Sequence, residues 1–335
     1  MDHASDNKDL QPINLLIVAQ SGRLEYEALI LAASLRAESH DVAPCLFIAE
    51  PRPEGAWQGH DTALSDAGRE VLDWLGATII PFTAQHFGAS YPHGNKIEAL
   101  QVLPADQPFL FLDSDTLITG PLQGLDLARP SASMRREGTW PVPPLYGPGY
   151  DAIWRNLYDR FGVDFEGSMD LSQPDEHWER YLYFNAGWFC GPDPVEFGRR
   201  FLEWSRTLRD EPGEMLACQN LDPWLDQAIL PLVVHSLGGG RPDKAQARLD
   251  DDLTCHYRKL PLLYACKDDR VLDRLEHAVA PNRIKKHLRE WEPAKKLIYQ
   301  GKGRDKIRPL FDRDRLPSKE QPIRNLLRKE GWWLV

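Results

Sequence analysis

Apolar and polar positions follow two distinct rhythms along the first 120 residues. Short runs rich in β-branched and aromatic residues, INLLIVAQ (13–20), DVAPCLFIAE (41–50), ATIIPF (77–82) and PFLFL (108–112), read as buried strands. Helical spacing fills the gaps. SGRLEYEALILAASLRAE (21–38) puts Leu24, Ala28, Leu31 and Leu35 on one face, a second helix falls near 67–75, and YPHGNKIEALQVL (91–103) opens as a turn and becomes a third. PRPEGAWQGHDTALSD (51–66) reads as a loop region. Strands alternating with helices predict βαβ units, a mainly parallel sheet and an α/β fold class.

The rhythm then breaks. Residues 121–180 are rich in Pro, Gly and aromatics (PVPPLYGPGYDAIW) and read as a long irregular insertion. YLYFNAGWFCG (181–191) returns to a strand, PVEFGRRFLEWSRTLRD (194–210) is an amphipathic helix, and 221–238 contains another. LTCHYRKLPLLYA (253–265) reads as a late strand and loop. The expected organisation is a disordered N-terminus (1–12), one main domain (13–300) and a basic C-terminal extension (301–335), with no internal repeat.

Composition adds limits. With 335 residues, 42% of them hydrophobic, the chain has the length and apolar content for a large core. Five cysteines without a CxxC pair read as free thiols in a reducing compartment. The polar start MDHASDNKDL is no signal peptide, and no apolar run approaches the roughly 18–20 residues of a membrane span. The expected location is cytoplasmic. Net charge is −10 but uneven: residues 281–335 hold 16 Lys/Arg against 7 Asp/Glu. A basic tail on an acidic body suits an anionic partner such as a phosphate, an acidic glycan or a membrane surface, and GWWLV (331–335) adds an interfacial character. No feature suggests nucleic acid.

Candidate chemistry concentrates in FLFLDSDTLITG (109–120). Asp113 and Asp115 follow an unbroken apolar strand. Buried unpaired carboxylates are costly, so a cation must offset them. In extended chain, side chains at i and i+2 share a face, so both can address one ion. Ligands of open α/β sheets bind beyond the carboxyl ends of the strands. All-oxygen ligands suit Mg²⁺ or Mn²⁺ shared with a substrate diphosphate. Haloacid-dehalogenase-type phosphatases also use DxDx[T/V]. Here Thr116 stands one place early and Leu117 occupies the Thr position, so that alternative is the weaker one.

In chain order, INLLIVAQSG, LILAASLR, NKIEAL, FLFLDSDTLITGPL, YFNAGWF and WLDQAIL together resemble GT-A-type glycosyltransferases, most nearly the retaining glycogenin and lipopolysaccharide-galactosyltransferase group. The likeness spans roughly 13–300. It implies a Rossmann-type, mostly parallel sheet flanked by helices. It also implies metal-dependent hexosyl transfer from a nucleotide diphosphate sugar, a UDP-sugar first, to a glycan, lipid or protein acceptor. By resemblance, Asp113 and Asp115 hold Mn²⁺ or Mg²⁺, with Ser114 between them at the nucleotide. Ala19, Gln20 and Ser21 touch the nucleotide. Lys96 meets phosphate or a sugar hydroxyl. Asn185, Ala186 and Gly187 line a sugar, and Asp226 and Gln227 face the reacting carbon. The family's late histidine ligand falls at His287 in KKHLREWEPAKK by chain order, although the glycine and Lys-Pro-Trp run of the family segment are absent. His256 in LTCHYRKLP is the alternative. Arg283, Lys285 and Lys286 are candidates for a lid over the phosphates. A phosphatase or nucleotidyltransferase using the same carboxylates, and a non-catalytic glycan- or membrane-binding protein, are the competing classes.

Overall fold

A computed structural model describes residues 13–39, 44–135 and 140–334. The segment 1–12, expected to be disordered, lies outside the described residues.

Three βα units open the chain: β1 (Asn14–Val18), α1 (Arg23–Glu38), β2 (Cys45–Pro51), α2 (Asp66–Trp74), β3 (Thr78–Phe82), α3 (Asn95–Glu98) and β4 (Phe109–Leu112). β5 (Thr116–Ile118) and β6 (Ser131–Ser133) follow. Then come α4 (Tyr150–Arg160), β7 (Asn185–Gly191), α5 (Pro194–Asp210), α6 (Leu225–Ser236) and β8 (Thr254–His256). The chain closes with α7 (Leu260–Cys266), α8 (Asp269–Ala278), α9 (Asn282–Leu288), the single turn α10 (Glu292–Ala294) and α11 (Glu320–Lys329).

The main sheet has six strands in the order β3-β2-β1-β4-β7-β6. β3, β2, β1 and β4 are parallel, whereas β7 is antiparallel to both β4 and β6. β5 and β8 form a separate antiparallel ribbon, with Thr116 opposite His256. The expected α/β class and mostly parallel sheet are present.

The side-chain alternation of a strand sorts β4 between two cores. Leu110 and Leu112 enter the cluster built on α1 and α8, and Phe109 and Phe111 enter the cluster built on α5 and α6. All four are at most 1% exposed. Buried on both faces, such a strand must be apolar throughout, which is why the first polar residues appear at its end. Because β7 runs antiparallel, its first residues meet the last residues of β4: Leu112 pairs with Trp188, and the Asp113 amide donates to the Gly187 carbonyl at 2.9 Å. The end of one motif strand is thereby placed beside the start of another.

Two sequence expectations change here. The 121–180 stretch is not wholly irregular. It supplies edge strand β6 and helix α4, whose Ile153, Trp154, Leu157 and Tyr158 are buried in the second core. LPLLYAC, read as loop, is helix α7; its proline falls in the first turn, where a missing N–H costs nothing.

Candidate active site

Asp113 and Asp115 leave β4 on a tight connection to β5, pinned at both ends. The Asp113 amide is held by Gly187, and the Tyr257 amide donates to the Asp115 carbonyl at 3.0 Å. β8 brings His256 opposite. Its Nε2 lies 3.1 Å from Asp115 Oδ1 and 3.9 Å from Asp113 Oδ2. One ligand atom from each of Asp113, Asp115 and His256 falls within 4.8 Å of the others. Two carboxylate oxygens and an imidazole nitrogen suit a divalent ion of the Mn²⁺ type.

His287 is elsewhere. α9 places it 4% exposed, with Nε2 2.7 Å from Glu25 Oε1 and its ring 5.3 Å from that of Tyr26. It ties α9 to α1, and the histidine beside the carboxylates is the alternative, His256. Chain order pointed to His287, but the antiparallel ribbon β5–β8 decides which histidine arrives.

The cations that offset the pair belong to the chain itself. Lys96, at the start of α3, has Nζ 2.7 Å from Asp113 Oδ1 and 3.6 Å from Asp226 Oδ2, and donates to the Ala186 carbonyl at 3.0 Å. Burial opposes its charge, yet Asp113 and Asp226 more than compensate and hold its pKa above the ordinary lysine value. On the other side Arg23, in the first turn of α1, lies 3.8 Å from Asp115 Oδ2 and 2.5 Å from Glu27 Oε1. Burial, reinforced by Asp115, pushes the Glu27 carboxyl up to about 8 against the pull of Arg23. For His256 burial favours the neutral ring, but Asp115 and Asp113 prevail and raise its pKa. For Asp115 burial works against the charge, and His256 and Arg23 overcome it, lowering its pKa. Carboxylates and cations thus alternate from Asp226 through Lys96, Asp113, His256, Asp115 and Arg23 to Glu27.

A cleft of about 190 Å³ opens over this row, lined among others by Gln20, Arg23, His93, Asn95, Lys96 and Ser114. Asn95 links its wall together: Nδ2 donates to Gln20 Oε1 at 3.3 Å, and Oδ1 accepts from Trp57 Nε1 at 2.9 Å.

The other expected residues divide. Ala19 is fully buried, and the Ser21 hydroxyl is taken by the Asp61 carbonyl at 2.7 Å, so of the three strand-end residues only Gln20 lines the cleft. Asn185 Oδ1 accepts from the Gly187 amide at 2.8 Å. Gly187 makes room for the histidine: a Cβ there would lie 2.5 Å from His256 Nδ1. Asp226 is 2% exposed; its Oδ1 accepts from the Tyr91 hydroxyl at 3.0 Å. Gln227 Oε1 accepts from the Tyr183 hydroxyl at 2.7 Å. Two of the three basic residues proposed as a lid are engaged elsewhere. Arg283 donates to the Glu70 carbonyl and stacks over Trp74, Lys285 sits over Tyr299, and neither they nor Lys286 line the cleft. Arg23, Glu27 and Tyr91 were missed. An Arg–x₃–Glu spacing at a helix start was the available signal for the first two, and it also describes an ordinary surface pair.

Residues 15–238 match the model of the Rhodobacterales glycosyltransferase domain. The chain belongs to this glycosyltransferase family. It is an enzyme of α/β architecture, and the phosphatase and non-catalytic alternatives fall away. Among curated proteins none matches. Solved structures include the galactosyltransferase LgtC in complex with donor and acceptor sugar analogs (15% identity, TM-score 0.46, 81% of this chain and 96% of that one). They also include the bifunctional glycosyltransferase WbbM in its apo form (13%, 0.46, 87% and 52%). A third is apo GlyE of Streptococcus pneumoniae TIGR4 (14%, 0.43, 86% and 64%). Nothing about donor or acceptor carries over at that distance.

Proposed function

We propose that this glycosyltransferase moves a hexose from a nucleotide diphosphate sugar, a UDP-sugar first, in a reaction that depends on a divalent metal. The observation that carries this reading is the Asp113–Asp115–His256 group at the carboxyl end of the central strand, opening into the cleft. These three residues would hold the ion, Mn²⁺ or Mg²⁺, which supplies charge neutralisation on the departing diphosphate. Gln20, Asn95 and Ser114 line the nucleotide side. Lys96 keeps Asp113 and Asp226 in fixed orientation, so the site needs little reorganisation when charge develops.

The acceptor hydroxyl oxygen bonds to the anomeric carbon as the bond to the diphosphate oxygen breaks. The hydroxyl proton leaves with the phosphate. Asp226 is a poor nucleophile in this arrangement, being buried and held by Tyr91 and Lys96. This favours retention through a short-lived ion pair over double displacement, with Gln227 lining the sugar. Five free thiols support a cytoplasmic location. Among the described residues no helix is long and apolar enough to cross a membrane.

Calorimetric titration with UDP tests the reading. Binding with Mn²⁺ that is lost in EDTA and in Asp113→Ala is expected. UDP binding of equal strength without metal would overturn it.

A further inference from the structure

A second cleft lies behind the β5–β8 ribbon and carries five cations: Arg135, Lys267, Arg270, Arg274 and Arg313. They arrive from β6, α7, α8 and the approach to α11, so the cluster is a product of the fold and not of one basic run. Four aspartates share the lining, and three of them are already engaged. Asp250 accepts from Ser133 Oγ, the Met134 amide and Trp188 Nε1 at 2.6, 2.9 and 2.7 Å. Asp252 is gripped by Arg248 at 2.8 and 3.0 Å, and Asp268 caps α8 through the Val271 amide at 2.9 Å. Asp251 is exposed.

The cations are less well matched. Arg274 pairs with Glu38. Arg313 Nη1 is buried with no hydrogen-bond acceptor among the described residues. Arg135, Lys267 and Arg270 have no carboxylate at ion-pair distance among the described residues. Burial raises the pKa of the nearby Cys255 thiol, and Lys267 and Arg135 pull it back, so both charges reach the floor of the cleft. A buried guanidinium donor without an acceptor is expensive, and an oxyanion would satisfy it.

The cleft lies close to the reaction centre. A cavity of about 10 Å³, room for one water, touches Arg135, Asp250 and Thr254, which it shares with the cleft, and also Gly187 and His256. Thr254 and His256 are two apart on β8, a separation of about 7 Å, roughly one sugar ring.

We propose that this cleft binds an oxyanion carried by the acceptor, a carboxylate or a phosphate on the sugar next to the one that reacts. The proposal rests on the donor site being that of a nucleotide sugar, because it treats His256 as the border between donor and acceptor.

The test uses the full chain with UDP and Mn²⁺ in excess, so that the donor site is filled. Inorganic phosphate, a glucuronate disaccharide and its neutral glucose counterpart are then titrated calorimetrically. Saturable binding of phosphate or the glucuronate sugar, and none of the neutral one, is expected. Stronger binding of one oxyanion identifies which of the two the acceptor carries. The double variant Lys267→Glu, Arg270→Glu changes two residues that are not buried and should weaken that binding at least tenfold, with UDP affinity unchanged. Arg199→Glu on α5 is the charge control and should leave it unaltered. Absence of oxyanion binding in the native protein, or binding that survives the double variant, overturns the proposal. Failure of UDP to bind would instead count against the donor site, and the anion titration would still report on the cleft.

Discussion

Lys96 is the residue on which the site turns. It stands between Asp113 and Asp226, and a buried ion network that loses one partner leaves uncompensated charge. Lys96→Met should therefore cost about 3–5 kcal/mol of stability, read from urea unfolding. The two histidines separate in the same way. His256→Ala should reduce Mn²⁺ affinity by more than the roughly 10–100-fold typical of an outer partner, whereas His287→Ala should leave it unchanged. Gly187→Ala should tilt the His256 ring and weaken Mn²⁺ binding without unfolding the chain, because the new Cβ meets an imidazole and not the backbone. Calorimetry with the metal alone checks all three. At this scale the sequence was informative where chemistry was local. Asp113 and Asp115 declare themselves by following an apolar strand, and Lys96 and Asp226 by the family likeness. His287 misled because its partner, Glu25, is 262 residues away, a pairing that no local pattern records.

At the scale of elements, α1 does more than its spacing suggests. Its apolar face packs on the sheet as expected, but its first turns also bury Glu25 and Glu27. Glu25 accepts from the Ser65 amide and hydroxyl at 2.8 and 2.6 Å and meets His287, joining α1, α2 and α9. Burial pushes the Glu25 carboxyl up, and the bonds from His287 and Ser65 outweigh it, so its pKa lies below the ordinary glutamate value. A carboxyl depressed in the folded state contributes stability above its unfolded pKa and loses it as pH falls through the folded value. The urea midpoint should fall as the pH drops below about 5, and Glu25→Gln should flatten that part of the profile. The strands and long helices were legible from periodicity alone. α4 and α7 were obscured by prolines and glycines that lie beside or just inside the helices, where they are tolerated.

Across the whole molecule the basic C-terminal stretch turns inward. Arg304 is held by Glu276 and Asp273, Arg308 by Asp269, and Lys296 by Glu292. Arg324 and Arg328 stack on Trp333. For Arg304 and Arg308 the anionic partner suggested by the charge asymmetry is the acidic body itself. α11 sinks Ile323 and Leu327 into the first core, and Glu320 pairs with Arg258, two residues beyond His256. Leu327→Ala should cost about 2–5 kcal/mol, measured by chemical denaturation. A net-charge count showed the asymmetry but not its cancellation, which depends on contacts between distant helices.

The alternating row from Asp226 to Glu27 also bears on how an ion would use this site. In a zinc finger, the metal is the keystone and its removal collapses the domain. Here lysine, arginine and histidine already face the carboxylates, so the protein keeps its shape with the ion gone. Chelation should silence transfer while leaving the melting temperature of the nucleotide-free protein unmoved. On the proposed reading, a cation at Asp113 and Asp115 would be a passenger, and the rate of transfer would follow the supply of that passenger in the surroundings.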